Sequence, residues 1–179
     1  VSQSSEQILT QMRIAWWRDQ LGKAVADRPE GDPILGAISA DWGGEETALT
    51  ALVDGWEALL AEPPLPEDAA IEFAAGRSGC FAAIARLVEQ HSMSSAAQQW
   101  GQTWALADLA CNISDAAERG FILELASKLP SPSDALPYSL RSLKILGLQG
   151  SRELVEPVGA LVSNRWDIAR IMRVGLLGR

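Results

Sequence analysis

Eight of the nine prolines of this chain fall in three short groups. Pro29 and Pro33 form the first, Pro63, Pro64 and Pro66 the second, and Pro130, Pro132 and Pro137 the third. Proline lacks the amide hydrogen of the helical ladder and clashes with the preceding turn, so each group marks a break. Between the breaks Ala and Leu dominate, and apolar residues recur three and four positions apart. No segment alternates Val, Ile, Thr or aromatic residues over four or more positions. Helical spacing without strand spacing predicts an all-α chain.

The periodicity predicts a first helix over 5–27, with Ile8, Met12, Ala15, Trp16 and Leu21 on its stripe. A short helix is expected from Asp32, with Pro33 in its first turn, stopping before Gly43. A third over 45–61 carries Leu49, Leu52, Val53, Trp56 and Leu60, and a fourth over 67–90 opens with acidic residues that suit the helix dipole. Gly76, Gly79 and Ala83 share one face of that helix, which marks close approach by another helix or by a ligand. Ser95 and Gln98 have the spacing of a capping box. The helix they would open reaches to about 128, with a kink near 112–120. Shorter helices are expected near 139–147, 151–162 and 165–177, the last capped by Asn164 with Asp167 three residues on. With 179 residues, of which 47% are apolar, the chain is expected to form one helical domain over 1–179, a single-domain bundle.

Charge and cysteine content exclude several classes of function. Residues 1–140 hold 8 Lys and Arg against 20 Asp and Glu, whereas 141–179 hold 7 against 3. An acidic body of this kind is a poor nucleic-acid binder. The basic C-terminal face suits an acidic protein partner or a lipid surface, with Arg165, Arg170 and Arg173 contributing. Cys80 and Cys111 make no disulfide framework; reduced core thiols are expected, with one bridge as the alternative. The segment VSQSSEQILTQM lacks the basic and apolar regions of a signal peptide, and no run is long enough to span a membrane. A cytoplasmic location is expected, with peripheral attachment at the inner membrane as a variant of it.

Few residues suit chemistry. His91 is the only histidine, which rules out a histidine zinc cluster; an exposed capping role near a helix end is expected. Asp41 with Glu45 and Asp68 with Glu72 read as solvated helix ends. Asp108, Asn112 and Asp115 form a polar stripe in the otherwise apolar WALADLACNISD, either the remnant of a functional site or a hydrogen-bonded contact. Seven tryptophans are the compositional anomaly. They read either as core fillers or as walls of an apolar cavity suited to a long hydrocarbon. Arg13 and Arg18 flank Trp16 and Trp17. Arg18 beside Asp19 reads as a surface pair, and either arginine could grip a phosphate bidentately.

The segment MRIAWWRDQL resembles the R-L-x-W-W-R segment of squalene and phytoene synthases. DPILGAI, ALVDGWEALLAEPPLP, FAAGRSGCFAAIARL, WALADLACNISDAAERG and RIMRVGLLGR resemble, in order, later segments of the same family. The resemblance implies a bundle of the isoprenoid-synthase type and a magnesium-dependent prenyltransferase acting on prenyl diphosphates. It places Arg13, Trp16, Trp17, Arg18, Phe73, Gly76 and Gly79 at the substrate. It makes Asp108, Asn112 and Asp115 the remnant of the second aspartate-rich motif, with Asp108 and Asp115 toward Mg2+. If Gly120 matches the glycine ending that motif, Asn112 and Ala116 stand on its two aspartates. The first such motif precedes the W-W-R segment in the family, and here Glu6 is the only acidic residue there. The chain is therefore expected to be either cut from a longer one or shed of its catalytic front. The alternative to the transferase is an inactive relative that binds an isoprenoid lipid or assembles a protein partner, without a metal.

Overall fold

The computed structural model describes residues 2–132, 136–155 and 171–175. Among them there are seven α-helices, a further helical stretch over 171–175 and no strand, so the chain is an all-α helical bundle. Its contacts fall into two compact units, residues 1–76 and 77–179, with one helix running through the boundary.

In the first unit, α1 spans Ser2–Gly22 and ends five residues earlier than its periodicity predicts. The cause is the buried guanidinium of Arg28. It donates to the carbonyls of Gln20 (3.2 Å) and Leu21 (3.4 Å) and to the Ser39 hydroxyl (2.9 Å). Carbonyls in the last turn of a helix have no partner within it, and a cation suits that end of the dipole. A 3-10 turn, Val25–Asp27, carries the chain to Pro29. Then α2, Pro33–Asp41, opens as the sequence predicts, with the Asp32 side chain accepting from the Ile34 and Leu35 amides at 2.9 and 3.0 Å.

Helix α3, Glu46–Ala58, packs on α1. Helix α4, Glu67–Leu87, crosses α3 at two glycines. A Cβ on Gly55 would stand 2.9 Å from the Phe73 Cα, and one on Gly76 would run into the Ala51 carbonyl. Gly76 therefore answers to helix packing. Gly79 faces open space and does not.

The second unit holds the rest of α4 and three further helices. The end of α4 closes in a Schellman turn: Gln90 N donates to Ala85 O at 2.8 Å and Glu89 N to Arg86 O at 3.0 Å. Glu89 takes the left-handed position with φ of 59°. After a 3-10 turn, His91–Met93, α5 runs over Ser94–Asn112. The Ser95–Gln98 capping box does not form. Ser95 already lies inside the helix, and Ser94 Oγ donates to His91 O instead at 2.7 Å. The expected kink is a full break, because Ile113 is extended and α6, Ala116–Ser127, starts afresh after Asp115.

Helix α7, Arg141–Val155, joins into one element what the sequence divides at 147–150. Gly147 and Gly150 are not breaks but contact points on α5. A Cβ on Gly147 would enter the Trp100 ring, and one on Gly150 would stand 2.8 Å from the Trp104 Cα. Gly101 fits in the same way against Ser78 and Phe81. Around these contacts Phe81, Ala85, Ala97, Trp100, Leu136, Leu140 and Leu143 form a buried cluster. The expected helices over 151–162 and 165–177 lie largely outside the described residues, as do Asn164, Asp167, Arg165, Arg170 and Trp166. Residues 171–175 are helical. No helix among the described residues is long and apolar enough to cross a membrane.

Candidate functional site

The first unit contains a pocket of about 620 Å3 between α1, α2 and α3. This volume is in the range of small-molecule sites. Helix α1 contributes Thr10, Arg13, Ile14, Trp17 and Leu21, at the three- and four-residue spacing of one face. Helix α2 contributes Ile38. Helix α3 and the turn after it contribute Leu49, Leu52, Val53, Trp56, Leu59 and Leu60. Arg13 is the only charged residue in the lining. The α3 stripe legible in the sequence thus faces a pocket instead of a filled core.

Of the four residues that the resemblance places at the substrate in this segment, two, Arg13 and Trp17, reach this pocket. Trp17 is part of its wall, whereas Trp16 is exposed and stands edge-on to Trp17, with ring centroids 4.9 Å apart. Arg13 lines the pocket. Arg18 is turned to α3, where it donates to Asp54 (2.8 and 2.6 Å) and Glu57 (2.5 Å). Its hydrogen bonds to Glu57 and Asp54 hold the guanidinium charged still more firmly than usual. Arg18 serves as a clasp between α1 and α3, and its partner is not the neighbouring Asp19, which takes Lys23. Phe73 is buried and packs edge-on to Trp56 at 6.0 Å, behind the pocket wall. Neither Gly76 nor Gly79 is part of the lining.

The three polar residues of α5 and its break are placed in the second unit. Asp108 is ion-paired with Arg77, whose guanidinium also lies 4.1 Å over the Trp104 ring. Asn112 donates to the Asp108 carbonyl at 2.8 Å. Asp115 is the cap of α6, accepting from the Ala117 and Glu118 amides at 2.9 Å each. The helix break separates Asp115 from the other two, so they form no common stripe. Magnesium, which the resemblance implies, takes carboxylates that are free to face it. Here one is held by arginine and the other by a helix terminus. No three of His, Cys, Asp and Glu stand together as a metal-binding group among the described residues. As they stand, these side chains do not make a magnesium donor set.

Cys80 and Cys111 are both free thiols. The helices carrying them run antiparallel, because Arg77 meets Asp108 while Phe81 meets Trp104. From the Arg77–Asp108 pair, Cys80 and Cys111 each lie one turn onward in their own helix, hence in opposite directions. Burial pushes the Cys80 thiol up to about 11. Burial and then the Glu153 carboxylate push Cys111 up to about 11. Neither is an activated nucleophile. His91 is exposed and contacts Glu89 at 3.2 Å.

Arg77, Asp54 and Glu57 are not among the residues expected from the sequence. Arg77 sits among small residues in AAGRSGC, where an isolated cation on an apolar helix is itself the signal of a buried partner. Asp54 and Glu57 stand 36 and 39 residues from Arg18, beyond any local pattern. No protein-family model, curated protein or solved structure matches the chain. The likeness to squalene and phytoene synthases rests on the quoted segments alone.

Proposed function

We propose that this chain is a squalene/phytoene-synthase-like protein that holds an isoprenoid chain in the pocket of its first unit and acts by binding. The observation that carries this reading is the pocket itself. Two indoles and a set of branched aliphatic side chains line a half-open volume suited to a small apolar ligand, and such a surface favours a hydrocarbon over water by about 25 cal/mol for each Å2 covered. Prenyl transfer on magnesium is the less favoured reading, because Asp108 and Asp115 are already engaged by protein groups. Of the basic C-terminal residues, Arg173 is exposed; a protein partner or a membrane contact there belongs to the same proposal as a second surface.

Trp17 and Trp56 make the reading testable by their own fluorescence. Titration with farnesol is expected to change the emission saturably, and Leu52→Arg, which buries an unpaired charge in the wall, to weaken binding roughly tenfold or more. Absence of any saturable response from a protein with native helical circular dichroism overturns the proposal. Magnesium-dependent release of diphosphate from farnesyl diphosphate would replace binding with transfer.

A further inference from the structure

Arg13 is out of place in its electrostatic setting. Residues 1–76 hold four Lys and Arg against fourteen Asp and Glu, a balance of −10. The other three cations are all engaged. Arg18 takes two, Lys23 takes Asp19, and Arg28 is spent on carbonyls at the end of α1. Arg13 alone of the four has neither an ion pair nor a hydrogen bond among the described residues, and its side chain is exposed. It lies instead with ten apolar residues and Thr10 along the pocket. A guanidinium kept unpaired at the edge of an apolar site is a preformed receptor for an anionic head, since its planar donors match two oxygens at once.

We propose that the pocket takes a long-chain carboxylate, its hydrocarbon along α3 and its carboxylate on Arg13. This rests on the apolar-ligand reading above and adds the head group to it. The acidity of the unit selects among anions. One guanidinium neutralises one carboxylate and completes a planar, bidentate pair. A diphosphate would bring more negative charge than Arg13 can offset, into a unit whose balance is already −10. With no other charged residue in the lining, that excess would be uncompensated. A neutral alcohol would leave the guanidinium unused, and a cationic head would be repelled.

Three ligands with one chain and different heads test this: farnesoic acid, farnesol and farnesyl diphosphate, each titrated against tryptophan emission at neutral pH. The acid is expected to bind roughly tenfold more tightly than the alcohol, the effect of one charge-assisted bidentate pair, and the diphosphate more weakly than the acid. In Arg13→Gln the ratio of acid to alcohol affinity is expected to fall to about one. In Arg13→Lys, which keeps the charge and loses the fork, it is expected to be intermediate. The acid preference is also expected to shrink with added salt. Equal binding of acid and alcohol by the unaltered protein overturns the carboxylate proposal and leaves the apolar pocket standing. So does tightest binding of the diphosphate, or an acid preference that survives Arg13→Gln. Failure of all three ligands to bind overturns both.

Discussion

Glu89 holds a backbone conformation that suits glycine. Its φ of 59° places it at the left-handed position of the turn that closes α4, where a Cβ crowds the following carbonyl. The contact of its carboxylate with His91 is exposed and worth little. Glu89→Gly is therefore expected to stabilise the protein, by about 0.5–1 kcal/mol after the greater freedom of glycine in the unfolded chain is subtracted. Urea melts at neutral pH check the sign, and a loss of stability would mean that the carboxylate contact outweighs the backbone strain. A single residue also shows why composition misleads at this scale. Gly76 and Gly79 look alike in the sequence, yet one meets the carbonyl of Ala51 and the other meets nothing. The difference lies in where the neighbouring helix crosses, which no spacing within α4 encodes.

Among the elements, ends are set by side chains more than by propensity. Asp115 caps α6 through two amides, so Asp115→Ala is expected to cost about 1 kcal/mol and Asp115→Asn much less, because the amide oxygen still accepts. Thermal denaturation of the two variants distinguishes a cap from a carboxylate whose charge matters, for which Asn would be as damaging as Ala. The existence of most helices is legible from apolar spacing between the proline groups. The start of α2 is legible to the residue, since Asp32 followed by Pro33 is a cap written locally. The start of α5 is not, because Ser94 and Ser95 offer competing hydroxyls and a 3-10 turn decides between them. The continuity of α7 is hidden for a different reason. Gly147 and Gly150 lower the helix propensity of their own segment by about 1 kcal/mol each, and what offsets this lies on another helix, the Trp100 indole at the first and the α5 backbone at the second.

For the molecule as a whole, the pH response follows from the two thiols. A free thiol in the unfolded chain ionises near 9, whereas Cys80 and Cys111 resist until about 11. Between these values the unfolded state loses protons that the folded state keeps. The stabilisation is complete below pH 9 and is lost as the pH rises toward 11. Urea melts from pH 8.5 to 11 are expected to show this decline, and the double variant Cys80→Ala, Cys111→Ala to show a shallower one; identical slopes would discount the thiols. The candidate site was legible only in its parts. The stripe Leu49, Leu52, Val53, Trp56 and Leu60 reads the same whether its face meets a filled core or a pocket. Arg13 and Arg18 read as equivalent until the positions of Asp54 and Glu57 separate them.

The contacts of α7 on α5 carry a consequence for descent. Gly147 against Trp100 is a fit of volumes, with one partner almost absent and the other the largest side chain available. Any lineage that enlarges position 147 has to shrink position 100, or the two helices part. Distant kin of this chain would therefore be marked by compensating changes at that pair, even where every aspartate and arginine had been replaced, whereas position 150, which meets the backbone of α5, would stay glycine.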